Sequence, residues 1–253
     1  FVRTADDIAD HPRLGGAEKL ARLDRLEAAV LGHGDEPVGV ALFVMLNRYG
    51  LTARHAQDLL SAFRQDVTKR HYADWDELID YCSRSAMPVG RFVLDIHGES
   101  RGSWPASDAL CAALQIINHV QDCKADYRKL DRVYIPLDAL AARGAGVEAL
   151  GDDHAGPALK DCLRALAART SDLLQESAGL PASVADRRLG IEISIIQSIA
   201  RRLLAILQQR DPLSERVHLS KTEMLAMMAL GGVRGLLPGR LRSPSPTERY
   251  QTP

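Results

Sequence analysis

Little in this 253-residue chain points to a membrane, a polyanion or an oxidising compartment. No stretch of 18 uncharged apolar residues occurs, which excludes a spanning helix of the ordinary kind. The net charge is −1, so no broad field favours nucleic acid or an anionic surface. Four cysteines, Cys82, Cys111, Cys123 and Cys162, include no C-x-x-C pair and lie in apolar segments. Buried free thiols in a reducing, cytoplasmic setting are therefore expected. No signal peptide is visible. The chain opens at Phe1, inside a predicted helix, and an additional preceding segment is expected. Alternating strands, hairpin signals and internal repeats are also lacking, which argues against a β or repeat architecture.

What is present is helical periodicity. Residues 17–31 place Leu20, Leu23, Leu26, Ala29 and Val30 on one stripe. Similar patterns run over 36–49, 53–66, 74–97, 107–127, 157–177 and 183–208. A last helix is predicted from Ser220, where Ser220 and Glu223 have capping-box spacing. Turns fall at Arg13–Gly16, Gly32–Gly34, Gly98–Pro105, Gly151–Pro157 and Gly179–Pro181. In the 74–97 segment, Pro88 is expected to free the Arg84 carbonyl and kink the helix. Gly90 allows a close approach there. The reading is one all-α domain over 1–237, followed by an unstructured tail over 238–253.

Two carboxylate pairs stand at i and i+4, Asp6/Asp10 and Asp122/Asp126. On a helix each pair faces one way. Hard cations such as Mg2+ take oxygen ligands from a few carboxylates and substrate phosphates. The chain has 22 aspartates, and random placement gives about two such pairs, so spacing alone is weak. A third pair, Asp76/Asp80, reads as a solvated face. Gln115, Asn118, Asp122 and Asp126 fall within an arc of roughly 80° on an otherwise apolar helix. Such a stripe is costly to bury unless paired or bound to a cation. The pattern itself leaves a solvated stripe and a metal site both open.

The surrounding residues add a resemblance. Arg3-Thr4-Ala5-Asp6-Asp7-Ile8-Ala9-Asp10 resembles the first aspartate motif of the squalene/phytoene synthase family. The run Gln115 to Asp126 resembles the second. Tyr81-Cys82-Ser83-Arg84-Ser85-Ala86-Met87-Pro88-Val89-Gly90 resembles the central helix motif, and Arg132-Val133-Tyr134-Ile135-Pro136 the segment after the second motif. Ser85 to Arg91, Asp95 to Glu99 and Asn118 to Asp122 look like the bacterial hopanoid-pathway branch, the hydroxysqualene synthases.

The resemblance implies an isoprenoid synthase fold, with helices around a central hydrophobic cavity. It implies Mg2+ held by Asp6, Asp10, Asn118, Asp122 and Asp126, and a prenyl diphosphate substrate contacted by Arg3. Asp7, Val89, Gln115, Asn118, Arg132 and Tyr134 are the further substrate contacts. Tyr81 and Arg3 are the catalytic candidates, Tyr81 near the reacting carbons and Arg3 on the diphosphate. Ile117, Val89, Phe92 and Val93 are expected to line the dry part of the cavity. In this branch presqualene diphosphate is ionised and water captures the cation, so NADPH is not expected. Presqualene diphosphate, squalene or phytoene synthesis remains the alternative, with a non-catalytic assembly role as the third. Gln121 stands where the family often has an arginine. The lipid nature of the substrate leaves peripheral membrane contact, and contact with other squalene-pathway enzymes, open.

Overall fold

A computed structural model describes residues 1–236. The tail reading over 238–253 lies outside the described residues. The chain forms twelve α-helices among those residues: α1 (Val2–Ala9), α2 (Gly16–Val30), α3 (Pro37–Tyr49), α4 (Arg54–Thr68), α5 (Trp75–Ser85), α6 (Met87–Ile96), α7 (Trp104–Ala125), α8 (Leu137–Ala141), α9 (Pro157–Glu176), α10 (Leu180–Ser183), α11 (Arg187–Leu207) and α12 (Lys221–Leu236). The extended backbone makes one isolated bridge, between His71 and Val133. The architecture is all-α.

The centre is α7. Leu110, Ala112, Ala113, Ile116, Ile117, Val120 and Cys123 are all buried, so the helix is apolar around most of its circumference. Helices α5, α6, α9 and α11 pack around it. Small residues set the close approaches. A Cβ on Gly90 of α6 would lie 2.4 Å from the Ser107 Oγ and 2.5 Å from the Cys111 Sγ, so a larger residue there would force those side-chain ends aside. Gly90 therefore serves helix packing. Gly231 does the same for α12 against the Ile195 backbone of α11.

The predicted 74–97 helix is two helices. Ala86, at φ −128° and ψ −46°, breaks it between α5 and α6. Pro88 then falls in the first turn of α6, where a missing N–H costs nothing. It starts a helix and does not kink one. Helix α11 begins at Arg187, four residues later than predicted, because the Asp186 side chain accepts the N–H groups of Arg188 and Leu189. The capping box at Ser220 forms in both directions: Glu223 N–H donates to Ser220 Oγ at 3.2 Å, and Ser220 N–H donates to the Glu223 carboxylate at 3.0 Å. The turn expected at Gly179–Pro181 is the junction of a 3-10 turn, Ser177–Gly179, with α10. The four cysteines are free thiols, three of them buried.

Candidate active site

Helix α1 is short and two-faced. Ala5 and Ala9 are buried and let it lie flat against α2 and α4. Asp6 and Asp10 sit off that buried line. Two cations hold its C-terminal end, where the carbonyl dipoles point outward. Lys19 Nζ donates to the Ala9 carbonyl at 2.8 Å, and Arg132 reaches the same oxygen at 3.4 Å.

Across from α1 stands the polar stripe of α7. Asp6, Asp10, Gln115, Asn118, Asp122 and Asp126 all line one cavity of about 680 Å³. The stripe therefore faces this cavity, with Asn118 and Asp122 exposed in it. Arg3, Tyr81, Arg132 and Tyr134 line the same cavity. The α7 stripe ends in a π-helical turn, Asp126–Leu130, and then Asp131 takes a left-handed conformation at φ 52°. That change of winding turns the chain so that Arg132 runs back under α1, where it donates to Asp10 Oδ1 at 2.7 Å.

The acids strain against one another. Burial and the neighbouring Asp122 push Asp126 up to about 7. Burial and Asp10 raise Asp6 as well. Burial works against the charge on Arg132, but Tyr134, Asp66 and Asp10 more than offset it and its pKa rises. It stays a guanidinium.

The floor of the cavity is a network that centres on Asp66, a residue sequence reasoning missed. Tyr81 donates to Asp66 Oδ2 at 2.8 Å and Tyr134 to Oδ1 at 3.0 Å. Burial pushes Asp66 up to about 6. Its signal was present: Asp66 continues the Leu59–Phe63 stripe of α4, where an apolar residue belongs. His119 also lines the cavity, stacked on Tyr134 with ring centroids 3.6 Å apart. Burial, with help from Arg132, lowers its pKa to about 3, so it is neutral.

Asp7 is outside this cavity. It lies one residue, about 100°, round the helix from Asp6. It is exposed and pairs with Arg3 at 3.1 Å, so the expected substrate contact becomes a brace for Arg3. Arg3 itself is largely exposed and lines a second cavity too. That cavity, about 360 Å³, is apolar, with Leu42, Leu46, Leu59, Val89 and Phe92 in its wall. Val2 and Arg3 belong to both cavities, so the two adjoin. Ile117 is core, and Val93 is exposed at the surface of α6, so neither lines them. Gln121 faces away, donating to the Val217 carbonyl. On that side a basic cleft of about 540 Å³ carries Lys124, Arg128, Lys129 and Arg216 beside Asp122.

Residues 1–223 match the model of the family described as squalene/phytoene synthase. The chain belongs to this family. Similarity to individual squalene/phytoene synthase family members is high. It is 58% identical over 226 residues to a hydroxysqualene synthase of Rhodopseudomonas palustris, spanning 89% of this chain and 77% of that one. It is 55% identical, with the same coverage, to a hydroxysqualene synthase of Sinorhizobium fredii. Among solved structures, the squalene synthase HpnC from Alicyclobacillus acidocaldarius superposes with a TM-score of 0.73 at 30% identity, over 82% of this chain and 79% of that one. A dehydrosqualene synthase shares the fold at a TM-score of 0.79 and 20% identity, over 92% of this chain and 83% of that one. This is the isoprenoid synthase fold, and the chain is an enzyme of the prenyl-diphosphate synthase kind.

Among the described residues no helix is long and apolar enough to cross a membrane.

Proposed function

We propose that this chain is a hydroxysqualene synthase, converting presqualene diphosphate and water to hydroxysqualene and diphosphate. The observation that carries the proposal is the joined pair of cavities, one acidic on two walls and one apolar, with Arg3 at their junction. The high identity to hydroxysqualene synthases supports the same reading.

The chemistry of the donor set fits magnesium. Among the described residues no three His, Cys, Asp or Glu side chains are gathered into a metal cage. Four aspartates face a common space from opposite walls, and burial, with the repulsion of neighbouring carboxylates added to it, raises Asp6 and Asp126. Such walls suit hard cations that share their shell with phosphate oxygens. Asp6, Asp10, Asn118, Asp122 and Asp126 would hold them. When bound, magnesium supplies neutralisation of the charge that develops on the leaving diphosphate.

The Arg132 Nε is buried and has no hydrogen-bond partner among the described residues, while its two terminal nitrogens hold Asp10 and Ala9. It is an unspent donor on a residue that lines the acidic cavity, where a phosphate would sit. Arg3 offers a second guanidinium from the other side. Leu42, Leu46, Val89 and Phe92 receive a hydrocarbon arm and keep water from it. Departure of diphosphate leaves a cyclopropylcarbinyl cation, which opens and is captured by water. Water is the nucleophile, so no reductant enters the balance.

The test is direct. Purified protein is given presqualene diphosphate with Mg2+, and the product is identified. Hydroxysqualene with equimolar diphosphate is expected. Turnover of farnesyl diphosphate alone to presqualene diphosphate would overturn the reading.

A further inference from the structure

This inference rests on the functional reading above and concerns its last step. A cation that is quenched by one water needs a place to keep that water and somewhere for the proton to go.

Ser85 ends α5, four residues after Tyr81, so the two lie on one face of the helix. Both line the acidic cavity. The Ser85 Oγ is buried and has no hydrogen-bond partner among the described residues. Buried hydroxyls are normally paired. Nearby Ser83 shows the usual solution: its Oγ donates back to the Asp80 carbonyl at 2.6 Å. Ser85 does not do this, and its hydroxyl spends neither its donor nor its acceptor on the described residues. One turn away, the Tyr81 hydroxyl gives its proton to Asp66 Oδ2 and keeps its lone pairs. Tyr134 occupies the other carboxylate oxygen and fixes the orientation of Asp66.

We infer that Ser85 and Tyr81 hold the capturing water against the cavity wall, and that Asp66 receives its proton through the Tyr81 hydroxyl. The water oxygen forms a bond to the cationic carbon and becomes an oxonium. One oxonium O–H bond breaks, and that proton passes to Tyr81 Oη. The Tyr81 proton passes to Asp66 Oδ2 in the same movement. Tyrosine ends unchanged, the carboxylate ends as an acid, and the product is the neutral alcohol. Asp66 returns its proton to solvent after product leaves.

Burial places Asp66 near 6, where the group is an anion at neutral pH yet able to hold a proton. The Tyr81 phenol is held well above its ordinary range by burial and Asp66, so it stays protonated as a relay.

The experiment measures hydroxysqualene formed per diphosphate released from presqualene diphosphate with Mg2+. The ratio cancels any loss in ionisation rate. In Ser85→Ala and Asp66→Asn it should fall roughly tenfold or more, the cation instead losing a carbon-bound proton to give hydrocarbon. Ser85→Thr, which keeps the hydroxyl, should hold the wild-type ratio. Ser85→Ala deletes one oxygen and is safe for folding even where Asp66→Asn is not. A wild-type ratio in Ser85→Ala or in folded Asp66→Asn, or a Ser85→Thr ratio as low as that of alanine, would overturn the inference alone. Wild-type protein that releases no diphosphate would overturn the functional reading and this inference with it.

Discussion

Arg132 and Asp10 are 122 positions apart in the chain and meet at 2.7 Å. Their contact ties the segment after the second acidic motif to the end of the first. Arg132 is almost fully buried, and Asp10 is about one-third exposed. Removing the arginine takes from Asp10 its hydrogen-bonded counter-charge and leaves Asp6 beside it, with Lys19 a remaining cation nearby. Arg132→Ala should lower stability by roughly 2–3 kcal/mol, below the range for a fully buried broken pair because Asp10 retains some water. Urea unfolding of the metal-free protein measures this. A loss under about 0.5 kcal/mol, the ordinary range for surface changes, would mean the pair is incidental.

The acidic walls make the opposite case. Without a cation their carboxylates repel one another. Asp122→Ala should therefore leave the metal-free fold as stable as wild type or slightly more so, and should cut diphosphate release by about two to four orders of magnitude. Near-normal turnover with intact circular dichroism would remove Asp122 from the site.

Asp66 gives stability a pH dependence. Its folded pKa is near 6 and its ordinary value 3.8. Between those values the folded chain keeps a proton that the unfolded chain has lost. Stability from this group is therefore full below about 4 and is lost as pH rises through about 6, by on the order of 3 kcal/mol. Asp66→Asn should flatten that part of the urea-midpoint profile between pH 4 and pH 7. An unchanged slope would place the titration elsewhere.

Gly90 is the hinge of packing between α6 and α7. An added methyl meets Ser107 and Cys111 at 2.4–2.5 Å. Gly90→Ala should cost about 1–3 kcal/mol by overpacking. A melting temperature within a degree of wild type would show that α6 can shift freely.

Val89, at the wall of the apolar cavity, is partly exposed and tolerates bulk without disturbing the core. Val89→Trp should raise KM for presqualene diphosphate about tenfold while inhibition by inorganic diphosphate is unchanged. Equal loss of both would place the side chain in the wrong cavity.

Much of this molecule was legible in its sequence because helices announce themselves by period. The stripes of α2, α4, α9 and α11 read directly, and so did the capping box at Ser220. The break between α5 and α6 did not. Pro88 was read as a kink because the apolar pattern continues across Ala86, and pattern does not register one residue leaving helical geometry. The acids of α1 and α7 were visible as two separate faces, but their meeting depends on tertiary packing. Asp7 was included because it sits inside the motif, and a 100° rotation removes it from the cavity. Asp66 was missed because a lone aspartate has no spacing to betray it. Its importance comes from burial and from two tyrosines that arrive 15 and 68 positions later.

The central claim is that α1 and α7 form one diphosphate site. Calorimetric titration of inorganic diphosphate in Mg2+ tests it on wild type, Asp6→Ala, Asp122→Ala and the double variant. A shared site predicts that each single change abolishes most of the binding and that the double change adds little. Additive losses, or a single variant that binds like wild type, would show that the two helices act apart.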